Sequence, residues 1–266
     1  MNSPLIEAVL VVLREVLEFA LLIGILLAAG AGAEAGARGR WLPAALLAGF
    51  AGASVYVLAM GSVGAWFGGV GYEVVNAALQ ILVYALLLGI IGLLARHRDR
   101  PPAFGWLAGV AAASAVTREG SEVLLYLSAF QGRPQALGDL LLGTVLGAGV
   151  GFSTGALLYY LLRGLPRPVA RPATLLLLAL AGAGMWSQAS ALLLQADWLP
   201  AQPPLWDTSA VLPESSLPGQ LLYALIGYEA TPGPWQVGLS AASLLLALAV
   251  AGLAARRRRS RRPQHD

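Results

Sequence analysis

Two short charged motifs interrupt apolar stretches of this 266-residue chain. Arg14-Glu15-Val16-Leu17-Glu18 and Arg118-Glu119-Gly120-Ser121-Glu122 share the pattern Arg-Glu-x-x-Glu. In a helix, glutamates three residues apart lie on one face, and an arginine four residues from the second glutamate can reach it. Each motif therefore predicts two carboxylates that point the same way and are held by a guanidinium.

The motifs together hold four glutamates against two arginines, which leaves a formal surplus of two negative charges. An ionic group at the centre of a bilayer costs roughly 2.5 to 3.5 kcal/mol on insertion scales, so such groups face the protein interior and satisfy one another. The surplus needs protons or a cation. Oxygen ligands favour hard ions such as Mg²⁺, Mn²⁺ or iron over Cu(I).

We therefore predict a metal site formed by Glu15, Glu18, Glu119 and Glu122. Arg14 and Arg118 are predicted to orient these carboxylates and keep them ionised, because a guanidinium has no lone pair to give a metal. The chain has no cysteine, which excludes thiolate sites, and its two histidines, His97 and His265, lie in arginine-rich segments. No organic cofactor is expected.

Three other interpretations of the motifs remain open. They could be ion pairs that only fix the fold, the site of a proton-coupled transporter of another hard divalent cation such as Mn²⁺, or the centre of an intramembrane carboxylate-dependent enzyme. We expect no enzyme, because a lipid-phosphate hydrolase would need a phosphate-binding nest or a serine and arginine cluster near a membrane surface. The sequence shows neither pattern.

The composition predicts an all-α polytopic membrane protein. The chain is 58% hydrophobic and 12% charged, with a mean hydropathy of +0.71, whereas soluble domains carry about 25% charged residues. Apolar stretches long enough to cross a bilayer occur at 41–72, 74–95, 140–162, 172–196 and 230–255. Two more, at 5–29 and 104–130, contain the charged motifs, so we predict seven transmembrane helices in one domain, residues 1–256.

The distribution of arginine predicts the orientation. All 17 basic residues are arginine. With the N-terminus outside, eight fall in inner loops and six in a basic cytoplasmic tail at 256–266, which leaves Arg133 outside and two within the bilayer. The positive-inside rule therefore favours an N-out, C-in topology. We interpret the tail as an anchor on anionic lipid rather than as a nucleic-acid-binding segment.

The motifs fall in the first and fourth helices, which run in opposite directions. We predict an inverted 3+3 repeat, with repeat A at about 1–100 and repeat B at about 101–197, then an outer loop at 197–230 and a last helix at 231–255. Such repeats place binding sites near the midplane. The outer loop contains one short apolar segment, 221–228, which predicts an interfacial or re-entrant half-helix.

Polar and small residues inside the other spans predict further contacts between helices. Four polar residues are expected towards the outer ends of helices 3 and 6, where they could line an entry path or form interhelical hydrogen bonds: Asn76, Gln80, Ser187 and Gln188. On helix 5, Gly147, Gly151 and Gly155 recur every four residues, which predicts close helix packing.

The two motifs resemble those of the oxidase-dependent iron permeases, a family of high-affinity iron uptake proteins of fungi and bacteria. The usual family form is Arg-Glu-Gly-Leu-Glu, and here Val16 replaces the glycine and Ser121 the leucine, both at non-ligand positions. The segment Leu225-Ile226-Gly227-Tyr228, followed by Pro232, resembles the family's Gly-Tyr-x-x-x-Pro-Ser element, with Gly233 in place of the serine.

This resemblance implies a permease that takes up iron oxidised outside from Fe²⁺ and passes it inward as Fe³⁺. It implies that the four motif glutamates bind the iron. It also implies periplasmic or extracellular partners, namely a ferroxidase or haem peroxidase and a cupredoxin-type protein, because no ferroxidase domain is evident in this sequence. The arginine-only, alanine-rich composition suggests a bacterium with GC-rich DNA, and hence the cytoplasmic (inner) membrane.

Overall fold

A computed structural model describes residues 4–30, 41–96, 103–130 and 137–260, except for the side chains of residues 167 and 258–260. The regular structure of these residues is entirely helical. The elements are α1 (Pro4–Ala29), α2 (Trp41–Gly64), a 3₁₀ turn (Trp66–Gly68), α3 (Gly71–Arg96), α4 (Ala103–Ser128), α5 (Leu137–Gly164), α6 (Arg167–Gln195), α7 (Leu217–Ile226) and α8 (Pro234–Ser260).

The helices have the length and apolar character of a multi-pass membrane protein, which confirms that prediction. Five of them are long and apolar enough to cross a membrane: α2, α3, α5, α6 and α8. The motif helices α1 and α4 have 26 residues each but carry the charged residues. Large apolar side chains such as Leu58, Val145 and Leu157 are exposed on the outside of the bundle, as lipid-facing side chains are.

The motif helices each pack against one small-residue helix in the same way. On α5, a Cβ at Gly147 would lie 2.6 Å from the carbonyl oxygen of Val9 on α1. On α2, a Cβ at Gly49 would lie 2.6 Å from the Cβ of Val116 on α4. Both contacts run in register along the helices, so α1 lies parallel to α5 and α2 lies parallel to α4. The predicted packing role of the glycine stripe on α5 is confirmed.

The two pairs also explain why the motifs differ at their third position. A Cβ at Gly151 of α5 would lie 2.7 Å from Cγ1 of Val16, so the valine needs a glycine opposite. In the second pair the sizes are exchanged, because a Cβ at Gly120 of α4 would lie 3.3 Å from the Cβ of Ala53 on α2. The larger side chain lies on the motif helix in one pair and on its partner in the other.

The bundle separates acidic from basic helix ends. The end of α1 at Gly30 lies beside Phe104 at the start of α4, so these helices are antiparallel. Arg171, near the start of α6, donates to the Leu94 carbonyl near the end of α3, so these are antiparallel too. The ends therefore form an acidic face, with Glu7, Glu73, Asp139 and Asp197, and an arginine face, with Arg96, Arg163, Arg171 and Arg257.

Some predicted boundaries need correction. The stretch 41–72 is not one helix, because α2 ends at Gly64 and the chain turns through Phe67, with φ 55°, and two glycines with positive φ. The last helix begins at Pro234 and continues to Ser260, so the first part of the predicted tail is helical. The rest of the tail lies outside the described residues, as do His97, His265, Arg38, Arg40, Arg98, Arg100 and Arg133.

A short helix of ten residues, α7, occupies Leu217–Ile226, so it begins four residues before the predicted segment 221–228 and ends two residues before the end of that segment. It begins after Ser216, whose hydroxyl accepts from the Gly219 amide at 3.1 Å. It ends at Gly227, which adopts a left-handed conformation with φ 66°. A Cβ at Gly227 would also lie 2.6 Å from the Cα of Gly184 on α6, so this position needs glycine for two reasons.

Candidate metal site

The two motifs meet where α1 faces α4. Glu15, Glu18 and Glu119 are all buried, with exposed fractions of 6%, 4% and 2%. One carboxylate oxygen from each lies within 4.8 Å of the other two. Oxygens bound to a single ion of the size of Mg²⁺, at about 2.1 Å each, lie about 3 to 4 Å apart. A small closure of the side chains would bring these three carboxylates onto one hard cation.

Arg118 connects the two motifs. Its Nη1 lies 3.3 Å from Oε2 of Glu18 on the other helix and also donates to Glu119. Its Nη2 lies 3.4 Å from Oε1 of Glu122, one helical turn further along α4. This single buried guanidinium faces carboxylates from both motifs, so it fixes their positions relative to each other.

The carboxylates are only partly satisfied. Oε2 of Glu119 is buried and accepts no hydrogen bond from the described residues. Glu15 has neither a hydrogen bond nor an ion pair to any described residue. A buried ionised carboxylate without a partner is costly. These oxygens are therefore available to a proton, a water molecule or a cation.

Two glutamines extend the cluster. Gln188 on α6 donates from Nε2 to Oε2 of Glu18 at 2.8 Å and accepts from Nη1 of Arg118 at 3.3 Å. Gln80 on α3 contacts the Gln188 amide. Turning the Gln80 amide so that its oxygen faces Arg118 lets it accept from Nε at 3.2 Å. Both glutamines, predicted as entry-path or hydrogen-bonding residues, thus contact the site itself.

The other two polar residues of that prediction have hydrogen-bond partners outside the two motifs. Asn76 donates to the hydroxyl of Tyr56 at 3.2 Å and to the carbonyl of Tyr72 at 3.1 Å. Ser187 is buried, and its carbonyl accepts from Ser190 one turn later on α6. The sequence pointed to the two glutamines because they are polar residues in otherwise apolar helices. The same is true of Asn76 and Ser187, so the sequence could not show which of the four contact the site.

Arg14 does not mirror Arg118. Its Nε is 4.0 Å from Oε1 of Glu18, and its side chain is 48% exposed. The guanidinium lies over the ring of Tyr223 on α7, 4.2 Å from the ring centroid. Glu122 is also more open, with a side chain that is 28% exposed, and it is not among the three carboxylates that converge. The site is therefore less symmetric than the motifs.

A cavity of about 560 Å³ opens beside Arg14 on the acidic face. It lies between α1, α7 and the loop at 209–215, and its walls include Arg14, Tyr223, Glu214 and Gln220. Oε1 of Gln220 is buried and has no partner among the described residues. Burial raises the pKa of Glu229, which follows α7, and the charge of Glu214 raises it further.

The Gly-Tyr segment after α7 has a structural role in this cavity wall. The Tyr228 hydroxyl bonds to the Thr208 hydroxyl at 2.7 Å and donates to the carbonyl of Leu212 at 3.0 Å. The Ala230 amide donates to Oε1 of Glu214 at 2.7 Å. These bonds attach the loop to the segment between α7 and α8.

Comparison of the chain with protein-family models, with curated proteins and with solved structures finds no match.

Proposed function

We propose that this protein carries a hard metal cation, iron in the first place, across a membrane through the site formed by its two motifs. The observation behind the proposal is the convergence of Glu15, Glu18 and Glu119, all buried, within 4.8 Å of one another. With Arg118 they have a formal charge of −2. The resemblance of the motifs to those of the oxidase-dependent iron permeases favours iron among the hard cations.

In this mechanism Arg118 and the converging carboxylates have different tasks. Arg118 holds Glu18 from one motif and Glu122 from the other, so the ligands are positioned before the ion arrives. Among the described residues, none donates a hydrogen bond to Oε2 of Glu119, and none forms a hydrogen bond or ion pair with the Glu15 carboxylate. These two carboxylates would release any proton they carry and bind the cation as it enters. Gln188 would keep Glu18 oriented through its 2.8 Å hydrogen bond.

The proposed topology has seven spans in an inverted 3+3 repeat followed by one helix, with the N-terminus outside and the C-terminus inside. The antiparallel arrangement of α1 with α4 and of α3 with α6 supports the repeat, as does the matched packing of α1 on α5 and of α4 on α2. The arginine face supports the orientation, because positively charged helix ends favour the cytoplasmic side.

The cation would enter from the acidic face. The cavity beside Arg14 opens there, and Arg14 with the ring of Tyr223 lies between this cavity and Glu18. A cation approaching Glu18 by this route must displace the guanidinium. Delivery of oxidised iron by an external ferroxidase or peroxidase with a cupredoxin-type protein, at the inner membrane of a bacterium, belongs to the same proposal and follows from the family resemblance.

Uptake of radioactive iron into proteoliposomes tests the proposal. We expect Glu15→Gln and Glu119→Gln to abolish uptake, because each replaces a converging carboxylate with a neutral amide of similar size. Asp139→Asn is the matched control, since Asp139 is exposed in the first turn of α5 and far from the cluster. Glu122→Gln should have an intermediate effect. Iron uptake by Glu15→Gln and Glu119→Gln at the wild-type rate would rule out this site.

Metal-dependent thermal stabilisation of the purified protein distinguishes iron transport from two of the other interpretations, the divalent-cation transporter and the ion pairs that only fix the fold. A transport site for iron should be stabilised by Fe²⁺ or Fe³⁺ more than by Mn²⁺, and Glu119→Gln should remove the response. A response to Mn²⁺ alone would favour the divalent-cation transporter. Ion pairs that only fix the fold predict no response to any metal.

A further inference from the structure

A second cavity, of about 330 Å³, lies between α3 and α8 at the arginine face. Its walls combine apolar and small residues with two arginines: Gly89, Gly92, Leu93, Arg96, Val250, Leu253, Ala254 and Arg257. None of these residues belongs to the carboxylate cluster. The cavity is called the α3/α8 groove below.

Small residues form part of the lining of this groove: Gly89, Gly92 and Ala254. A Cβ at Gly92 would lie 3.5 Å from Cγ1 of Val250, an ordinary contact, so Gly92 is not a glycine that close helix packing demands. The neighbouring wall residues Leu93 and Leu253 are apolar, and Leu253 is 59% exposed. The inner part of the groove therefore suits hydrocarbon and has an open side towards lipid.

The charged part of the groove lies at its end. Arg96 is the last residue of α3, and Arg257 lies near the end of α8. Two guanidiniums above an apolar cleft between helices suit a phosphate group that carries acyl chains, since arginine binds phosphate oxygens through a planar pair of donors. Basic pockets between transmembrane helices bind acidic lipid headgroups in this way.

We propose that the α3/α8 groove binds one acidic phospholipid, with its phosphate between Arg96 and Arg257 and an acyl chain along Gly92 and Val250. The lipid would belong to the leaflet at the arginine face. Binding there would hold α8, the helix added after the repeat, against α3. This inference is independent of whether the carboxylate cluster transports iron.

Native mass spectrometry of the purified protein, titrated with phosphatidylglycerol or with phosphatidylethanolamine of the same acyl chains, tests the proposal. At about fivefold for each arginine near an acidic headgroup, two arginines should favour phosphatidylglycerol about twenty-five-fold. The double variant Arg96→Gln/Arg257→Gln should lose this preference. Arg163→Gln/Arg256→Gln should keep it, because it removes two arginines of the same face that do not line the groove.

Gly92→Leu gives a second test that leaves both charges in place. Its side chain should fill the groove, so we expect the preference for phosphatidylglycerol to fall although the arginines remain. The proposal would be overturned if Arg96→Gln/Arg257→Gln and Arg163→Gln/Arg256→Gln lost the preference for phosphatidylglycerol equally. Full binding of phosphatidylglycerol by Gly92→Leu would also overturn it. A final measurement adds inorganic phosphate as a competitor of phosphatidylglycerol. If phosphate competes as well as the lipid does at equal concentration, the acyl chains contribute nothing to binding and the lipid assignment is wrong.

Discussion

The two motif arginines occupy different environments although their motifs are equivalent in sequence. Arg118 is buried among Glu18, Glu119 and Glu122, whereas Arg14 is about half exposed and lies over Tyr223. Removing one partner of a buried ion pair costs about 3 to 5 kcal/mol, because the remaining charge is left without compensation. An exposed pair contributes at most about 1 kcal/mol.

We therefore expect Arg118→Leu to destabilise the protein by about 3 to 5 kcal/mol and Arg14→Leu by about 1 kcal/mol or less. Reversible unfolding of the purified variants in mixed detergent measures both. Arg118→Lys should recover part of the stability, because it keeps the charge but loses the second donor that reaches Glu122. Equal losses in Arg14→Leu and Arg118→Leu would contradict the asymmetry of the two sites.

The residue types of the site were predictable and its asymmetry was not. Four carboxylates against two arginines predicted a site for protons or a cation, and helical spacing predicted that each pair of glutamates lies on one face. The contact of Arg14 with Tyr223 joins residues 209 positions apart, and no local pattern encodes it. Gln80 and Gln188 were predicted to line an entry path or to form interhelical hydrogen bonds, but their contacts with Arg118 and Glu18 depend on how α3 and α6 cross.

Helix packing gives a prediction for α1 and α5. Gly151→Val should destabilise the protein by about 1 to 3 kcal/mol, because its Cβ would lie 2.7 Å from Val16. Gly149→Val is the matched control, since it lies two residues earlier on the same helix and a Cβ there meets nothing within 4 Å. The same unfolding measurement compares the two variants, and similar effects would show that α1 and α5 do not pack as described.

Combining Gly151→Ala with Val16→Gly reproduces the residue pair that α2 and α4 use, Ala53 with Gly120. This double variant should be more stable than Gly151→Val and should keep the proposed iron uptake, because neither position holds a proposed ligand. A double variant less stable than Gly151→Val would mean that the two helix pairs are not equivalent. The glycine stripe on α5 predicted close helix packing. It did not predict which residue of the first motif lies opposite each glycine, because that depends on the register of α1 against α5.

At the scale of the whole molecule, the composition predicted the class of protein better than either motif did. Too few charges to cover a soluble surface indicated a membrane protein, and the structure has five helices that meet the criteria for a span. The boundaries were harder: α2 stops at Gly64 and α8 continues to Ser260. The absence of charged residues marks an apolar stretch, but it does not locate a turn such as the one through Phe67 after α2. The arginines that follow residue 255 do not end α8, because arginine is compatible with a helix.

The arginine face predicts the orientation of the whole chain. A fluorescent protein that folds only in the cytoplasm, fused after residue 266, should fluoresce, whereas a reporter active only outside should work when inserted in the 197–218 segment. Because the chain has no cysteine, Ser209→Cys offers an independent control: a membrane-impermeant thiol reagent should label it in intact cells. An expressed but dark C-terminal fusion, together with unlabelled Ser209→Cys, would reverse the orientation.

Equilibrium binding of iron to the purified protein, combined with X-ray absorption of the bound ion, tests the carboxylate site most directly. We predict one iron per chain, surrounded by oxygen alone at about 2.0 to 2.2 Å, since the converging ligands are carboxylates. Glu15→Gln and Glu119→Gln should each lose this iron, and Asp139→Asn should retain it. Iron bound at full stoichiometry by both glutamine variants would contradict the assignment of the site to the two motifs.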